Sequence, residues 1–401
     1  MTAPLDLPPR PTLPLSEGGW GDVPGARCGV AAGRIKATAD RDDVVVLHAP
    51  GVAAAVTTAS TAAAAPCLWT RARVPGPVEA VVVNAGNANA ATGARGEADC
   101  ADTAATVAAA LSCDPDAVLV CSTGVIGVPL PMERLLPAVR QAVDTLGEPG
   151  ARAARAILTT DLVPKEVLIR HEGVTVGGMA KGSGMIHPGM ATMLAFLVTD
   201  AQVPPGPLQD LLTAVTARTF NAISVDGCMS TNDTLILQST GLGPVRAPGA
   251  PGWAGFARAV EVAAAELARA IARDGEGATT LIEAVVAGTP SDAAAREGAR
   301  AVVSSHLLKA AIAGRDPNWG RVVGALGAAG IPDLEHLDLD FAGVPALRDG
   351  QPVDWDEAAA SAALDAPEIR IACRLPGPGL GRAWGCDLTE QYVRINADYR
   401  S

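Results

Sequence analysis

Runs of β-branched residues alternate along the chain with alanine-rich stretches that repeat at helical spacing. DDVVVLHAP from Asp42, PVEAVVVNAG from Pro77, DAVLVCSTG from Asp116 and DTLILQST from Asp233 predict strands, each a short apolar run bounded by turn residues. PEIRIACRL adds period-two alternation, with Ile369, Ile371, Cys373 and Leu375 on one face. In GWAGFARAVEVAAAELARAIARDGEG the apolar positions Phe256, Val260, Ala263, Leu267 and Ile271 recur at helical spacing, and Gly275 is expected to cap that helix before Glu276. Strands interleaved with helices predict an α/β or α+β protein.

The strand-like LIEAVVAG gives way to the turn TPSD and a new alanine-rich helix, so a domain boundary is expected after Gly288, dividing the chain into 1–288 and 289–401. The longest uncharged run, Val44 to Thr70, is broken by Pro50-Gly51 and Pro66. That predicts strands and a helix, not a membrane span. The proline-rich MTAPLDLPPRPTLPL has neither a basic start nor an unbroken apolar core, so no secretory signal is read there, the chain is expected to begin near Met1, and its location is expected to be cytoplasmic.

With 401 residues, 49% of them apolar, the chain can bury a large core. A net charge of -12 leaves no basic footprint for a phosphate backbone, so a small-molecule substrate is expected and nucleic acid is not. The eight cysteines form no CxxC pair, and none of the five histidines stands at ligand spacing to another or to a cysteine. No metal site is expected, and most cysteines are expected to be reduced core residues.

The stretch KGSGMIHPGMATMLAFLVTD, Lys181 to Asp200, runs from a glycine loop into a strand pattern. A phosphate loop needs lysine after the second glycine, whereas the order here is Lys181-Gly182-Ser183. A dinucleotide fingerprint must open a helix, whereas Pro188-Gly189 and then ATMLAFLV follow Gly184. Nucleophilic catalysis fits differently: a threonine with a free α-amino group carries its own base, because that amine titrates at roughly 7.7 to 8.0. Thr192 would gain one if its bond to the small residue Ala191 broke by attack of the Thr192 hydroxyl on the preceding carbonyl. Spacing alone does not choose this chemistry over a β-branched residue placed for a strand.

The run MAKGSGMIHPGMATML followed by VTDA resembles the self-cleaving ornithine acetyltransferase family, the glutamate N-acetyltransferases of the cyclic arginine pathway. The likeness continues in the family's order through AAGRIKATADRDD, VVVNAGNANAATG, VCSTGVIG, ILTTDLVPK, FNAISVDGCMSTNDT, DGEGAT, GRDPNWGR and INADYRS. It implies cleavage between Ala191 and Thr192, giving chains 1–191 and 192–401, with Thr192 as nucleophile. Thr192 would take acetyl from N-acetyl-ornithine and pass it to glutamate through an acetyl-threonine ester. The resemblance implies no metal and no resident cofactor. Acetyl-CoA enters only as a co-substrate should the enzyme also acetylate glutamate directly, which the residues leave open.

In the family, the residues matching Thr123 and Gly124 supply the oxyanion donors, and the turn Ser122-Thr123-Gly124 can present a hydroxyl and an N–H. Residues matching Lys181, Thr192, Glu276, Asn396, Ser401 and a threonine of the TTD motif bind substrate. Thr159 is preferred to Thr160 for the last, and an N-cap beside Asp161 is the plain alternative for either. A zwitterionic substrate suits this set, since Lys181 and Glu276 offer one charge of each sign.

Among the other matched motifs, Asn84, Asn87 and Asn89 are expected to bond a tight turn, and Asp226, Asn232 and Asp233 to brace loops. Arg315, Asp316 and Arg321 are expected to form a buried ion network, and His187 to be a hydrogen-bonding loop residue rather than a base. The chain departs from the family at Gly189, where asparagine is usual, and at Thr280, where lysine is. These departures bear on the identity of the acyl acceptor. A paralogue acting on another amino-acid acyl group, a same-fold self-processed amidase or aminopeptidase, and a non-enzymatic phosphate binder using the glycine loop stand as alternatives.

The resemblance also implies a fold of β-sheets layered between helices, an αββα-type sandwich with a smaller C-terminal domain whose tail returns to the active site. It further implies a heterotetramer of the two processed chains.

Overall fold

The computed structural model describes residues 3–36, 41–187 and 193–398. The expectations placed on Gly189, Ala191, Thr192 and Ser401 lie outside the described residues. In chain order the strands are β1 Arg27–Ala31, β2 Val44–Thr57, β3 Gly76–Asn87, β4 Val118–Val125, β5 Lys165–His171, β6 Val174–Lys181, β7 Leu194–Thr199 and β8 Ile223–Ser224. They continue as β9 Thr234–Ser239, β10 Leu281–Thr289, β11 Asp338–Phe341, β12 Val344–Arg348, β13 Gln351–Pro352, β14 Glu368–Arg374 and β15 Gly379–Cys386. All the runs read as strands are strands, and the uncharged run resolves into β2 and the helix Ala65–Arg71.

The first sheet has the order β4-β3-β2-β9-β7-β6-β5, with β1 on the first half of β2. Strand β2 serves two neighbours in turn: Val44 to His48 pair with β1, and Val52 to Thr57 pair with β9. The change of partner falls at Pro50-Gly51, where the register against β3 also shifts. Glycine is needed there because a Cβ on Gly51 would lie 2.1 Å from the Ser239 carbonyl oxygen. Two of the pairings, β3 with β4 and β7 with β9, are parallel.

Alternation places Val45, Leu47, Val81, Val83 and Phe196 on one face, packed with the helix Gly150–Ala156. Val44, Val46, Ala80 and Val82 face the helices Gly93–Leu111 and Met132–Asp144 on the other. Farther along that second face, Ala195, Leu197, Leu235 and Leu237 meet the helices Pro205–Arg218 and Trp253–Arg273. All five spaced apolar residues of Trp253–Arg273 are buried in that core.

The second sheet runs β13-β12-β11-β14-β10-β15-β8. Ile369, Ile371, Cys373 and Leu375 of the β14 segment join the same core as Leu267 and Ile271, together with Val302 and Val303 of the helix Asp292–Ser304. The chain therefore adopts the expected α/β class, two sheets packed among helices in the manner of an αββα sandwich. Strand β10 lies between β14 and β15 in that sheet, and Gly288 stands near its end. No described helix is long and apolar enough to cross a membrane.

Two expectations fail locally. The helix Trp253–Arg273 ends at Asp274, whose N–H donates to the Ala270 carbonyl at 3.1 Å, and the Gly275 N–H closes the Ala272 carbonyl at 3.4 Å, but the left-handed residue of the turn is Gly277 at φ +71°, not Gly275. Gly275 is small for space instead, since a Cβ there would approach the Cys386 sulfur to 2.6 Å. Arg315, Asp316 and Arg321 do not form a mutual buried network. Arg315 pairs with the exposed Asp365 at 2.7 Å, Asp316 accepts from Asn318 Nδ2 at 3.1 Å, and Arg321 donates to the Leu307 carbonyl. Their short spacing around Pro317 points them to separate surface partners, which water permits at low cost. Six of the cysteines are free and buried, Cys113 is half-buried and Cys228 is exposed.

Candidate active site

The site forms where strand ends from several parts of the first sheet converge. Strand β6 ends at Lys181, which pairs with Leu194 at the start of β7, and Leu194 pairs with Thr234 at the start of β9. The same Thr234 faces Thr57 at the end of β2. Residues 188–192 lie between β6 and β7 in the sequence, and the described chain resumes at Met193, next to the start of β7.

Ser122-Thr123-Gly124 is not the expected turn after a strand: β4 runs on through it to Val125, paired with Asn84, Ala85 and Gly86 of β3, and the segment is held by a polar lattice. Asn84 and Ser122 are register partners across β3 and β4, and the Ser122 hydroxyl donates to Asn84 Oδ1 at 2.7 Å. Asn84 Nδ2 donates to the Asn87 carbonyl at 2.8 Å, and Asn87 Oδ1 accepts from the Asn89 N–H at 2.8 Å. The three asparagines thus bond a tight turn as expected. Asn232 ties this turn to the β9 side by donating to the carbonyls of Ala88 and Ser122, at 2.5 and 2.9 Å. Gly124 has φ +136°, and a Cβ on it would lie 2.2 Å from the Gly86 carbonyl carbon. Only glycine lets β3 and β4 approach this closely at the register shift.

Asp233, next in sequence to Asn232, is fully buried and accepts the Met193 N–H at 3.0 Å. It therefore fixes the first described residue after Thr192. Burial raises its carboxyl well above the ordinary range, against the Met193 bond and the nearby Lys181 charge. Asp226 braces the other side of the loop, accepting the N–H groups of Met185 and Ile186 at 2.5 and 2.9 Å and the Tyr392 hydroxyl at 3.2 Å. His187 lies 3.3 Å from the Ser224 hydroxyl through Nδ1, and burial lowers its pKa.

The structure brings the predicted charged residues into one electrostatic neighbourhood. Lys181 is buried, and its Nζ donates to Thr123 Oγ1 at 3.3 Å. Burial lowers its pKa, opposed by the charge of Asp161 and more weakly by those of Asp233 and Glu276. Among the described residues no carboxylate forms an ion pair with it. Glu276 reaches the loop through its N–H, which donates to the Ser183 carbonyl at 2.8 Å, and a Cβ on Gly184 would lie 2.5 Å from the Glu276 carboxyl group. The C-terminal helix Glu390–Asp398 brings Asn396 Nδ2 to 2.8 Å from Glu276 Oε2.

The TTD motif does not cap a helix, because the next regular element is β5. Thr160 shares a 2.7 Å hydrogen bond with Ser183 of the glycine loop, whereas Thr159 meets Asp161 Oδ2 through its N–H at 3.2 Å. The sequence pattern offers an N-cap only to the threonines beside Asp161 and singles out neither Lys165 nor Asp274. Yet Lys165 Nζ is bonded at 2.8 Å to Asp161 and at 2.6 Å to Asp274, with the Lys165 and Asp161 side chains fully buried. The available signal was a lysine four residues after TTD in an otherwise apolar segment, but only tertiary contact supplies Asp274.

A buried ammonium with no direct ion pair among the described residues, a nearby carboxylate and a hydroxyl beside a strained glycine suit an enzyme that takes a zwitterion and passes through an oxyanion. Comparison with known proteins agrees. Residues 27–401 match the ArgJ family. An arginine biosynthesis bifunctional protein ArgJ from Thermosynechococcus vestitus is 45% identical over 399 residues, covering 92% of this chain and 95% of the relative. That of Symbiobacterium thermophilum is 47% identical over 375 residues, with 90% and 93% covered. Among solved structures, ArgJ from Bacillus halodurans is 44% identical, with a TM-score of 0.49 and coverage of 50% of this chain and 96% of the other. The ornithine acetyltransferase of Mycobacterium tuberculosis, complexed with ornithine, is 43% identical, with a TM-score of 0.41 and coverage of 43% and 95%. A family match across nearly the whole sequence, joined to relatives this similar over nine-tenths of it, is decisive: the chain belongs to the ArgJ family.

Proposed function

We infer that this chain is the acetyltransferase of arginine biosynthesis that moves acetyl from N-acetyl-ornithine to glutamate, working through Thr192 after self-cleavage. Membership of the ArgJ family carries the activity. The observation that carries the site is the buried Lys181 ammonium against the Thr123 hydroxyl, at the strand ends that flank residues 188–192.

In the self-cleavage, Thr192 Oγ attacks the Ala191 carbonyl carbon, the 191–192 C–N bond breaks, and the hydroxyl proton passes to the departing nitrogen. That shift leaves Thr192 with a free amine, and water then hydrolyses the ester, restoring the Thr192 hydroxyl and releasing the carboxylate of chain 1–191. In the transfer cycle that amine takes the Thr192 hydroxyl proton as Oγ attacks the acetyl carbonyl, and returns it to the ornithine nitrogen as that group leaves. The glutamate amine resolves the acetyl-threonine by the same steps reversed. The Thr123 hydroxyl and Gly124 N–H serve each oxyanion, a role for which a single donor is commonly worth about 3 kcal/mol.

Lys181 takes the substrate α-carboxylate and Glu276 its amine, with Thr159, preferred to Thr160, and Asn396 and Ser401 completing the pocket. The assembly is a heterotetramer of chains 1–191 and 192–401 in the cytoplasm. The division into residues 1–288 and 289–401 belongs to the same reading. Acetyl-CoA serves as a second donor if the chain shares the bifunctional character named for its relatives.

The test is the denaturing mass of freshly purified protein beside a Thr192→Ala control, with N-terminal sequencing of any fragment. Two chains, the second beginning at Thr192, and an intact control are expected. Acetyl transfer from N-acetyl-ornithine, followed with and without glutamate, then separates a transferase from a hydrolase. A single uncut wild-type chain would sink the α-amine mechanism.

A further inference from the structure

Three ionisable side chains meet beneath the loop that follows β6, outside the set that binds substrate. Lys165 Nζ donates to Asp161 Oδ1, to Asp274 Oδ2 and, at 3.3 Å, to the Val163 carbonyl. All three donor positions of its ammonium are thereby used. Asp161 Oδ1 also accepts the Gly182 N–H at 2.6 Å, gripping the backbone next to Lys181. Asp274 Oδ2 accepts the Leu162 N–H at 3.1 Å. Two carboxylates and one ammonium leave the trio with one net negative charge.

Lys181 differs from Lys165 in having Thr123 Oγ1 as its hydrogen-bond partner among the described residues. A charged ammonium can only donate, so Thr123 Oγ1 must accept, and its own hydrogen is left to point elsewhere. A neutral amine could instead accept that hydrogen and turn the hydroxyl away from the reacting carbonyl. The charge on Lys181 therefore decides whether Thr123 can serve an oxyanion. The charged groups facing Lys181 are Asp161 and Lys165 from the β5 side, Asp233 beside β9 and Glu276 from the turn after the long helix.

We propose that Asp161, Lys165 and Asp274 form a positioning unit whose net negative charge keeps Lys181 protonated behind Thr123 and so turns the Thr123 hydroxyl toward the oxyanion. This rests on the reading of Thr123 and Thr192 given above. The trio does not touch substrate in this scheme. It acts through Lys181 and through the Gly182 backbone.

The test is the rate of self-cleavage against pH in wild type, Asp161→Asn and Asp274→Asn. Wild type should lose rate on an alkaline limb, where Lys181 releases its proton. Each variant removes one negative charge and should move that limb about one unit toward acid, a tenfold change in the protonation equilibrium, with the rate below the limb retained best in Asp274→Asn. A role confined to packing would lower the melting temperature and the rate at every pH without moving the limb. An unmoved limb in either variant that keeps the wild-type circular dichroism overturns the proposal.

Should neither variant fold, selective labelling of the four lysines in the uncut Thr192→Ala chain gives the Lys181 titration directly. Coincidence of that titration with the wild-type limb supports the proposal, and a separation beyond about one unit overturns it. A wild-type chain that never cleaves is a failure of the functional reading, which the Thr192→Ala comparison detects separately.

Discussion

Gly124→Ala tests whether the proposed oxyanion segment of β4 is held by backbone approach. The added Cβ would lie 2.2 Å from the Gly86 carbonyl carbon, 2.4 Å from the Asn87 nitrogen and 2.6 Å from the Gly86 oxygen. All three are backbone atoms, so nothing flexible can yield. Relief requires the paired ends of β3 and β4 to part by about 1 Å, the distance back to ordinary van der Waals contact. That endangers the Ala88 N–H bond to the Val125 carbonyl, 2.9 Å long, and the Asn232 bond to the Ser122 carbonyl.

Two such bonds at about 1 kcal/mol each, added to about 1 to 3 kcal/mol for a side chain at φ +136°, total roughly 3 to 5 kcal/mol. Gly127, three residues on, supplies the control: it has φ +81° with nothing within 4 Å of a built Cβ, so Gly127→Ala should cost only about 1 to 2 kcal/mol. Both variants are best compared by urea unfolding in the uncut Thr192→Ala background, with self-cleavage followed separately in otherwise wild-type chains. Gly124→Ala should unfold at clearly lower urea than Gly127→Ala and cleave far more slowly. Equal midpoints would refute the steric reasoning.

Asn232→Leu removes both donors to the carbonyls of Ala88 and Ser122, leaving two buried acceptors unpaired, and should cost about 2 to 4 kcal/mol by chemical denaturation; a loss under about 1 kcal/mol would show that the bridge is dispensable. Burial raises the Asp161 carboxyl, but Lys181, Lys165 and the Gly182 N–H outweigh it and bring it down to about 2. Because the folded value lies below the ordinary one, the resulting stability, about 2 kcal/mol, is present above about pH 4 and lost as pH falls toward about 2. Asp161→Asn should therefore flatten the acid limb of the melting-temperature profile, and an unchanged acid limb would count against the ion cluster. His187→Gln should transfer acetyl within about threefold of wild type once cleaved, since the terminal amine is the base of the transfer cycle, whereas a hundredfold loss would restore the imidazole as a candidate. Asn396→Ala, freeing Glu276 Oε2 at an exposed position, should raise KM while leaving kcat nearly unchanged, and a fall in kcat alone would place Asn396 in the chemistry.

The strands were legible because each is a dense run of apolar residues bounded by turn signals, as in β3, β9 and β14. The long helix was legible from the spacing of Phe256, Val260, Ala263, Leu267 and Ile271, but its end was not. Gly275 and Gly277 look alike in sequence, and only the approach of Cys386 and the direction of the turn distinguish them. Likewise GRDPNWGR reads as a charge cluster, yet Asp316 bonds Asn318 within the motif while Arg315 and Arg321 reach Asp365 and the Leu307 carbonyl outside it, partners that no local pattern encodes.

The sequence by itself determined the α/β class, the family, and which motifs hold the chemistry, because periodicity and contiguous motifs are local properties of the chain. The tertiary structure alone decided that Lys181 abuts Thr123, 58 residues away, and that Lys165 bridges Asp161 to Asp274, 109 residues from Lys165. The cause is physical: a buried charge must find compensation wherever the packed sheet brings a partner, and that place is set by strand order rather than by distance along the chain.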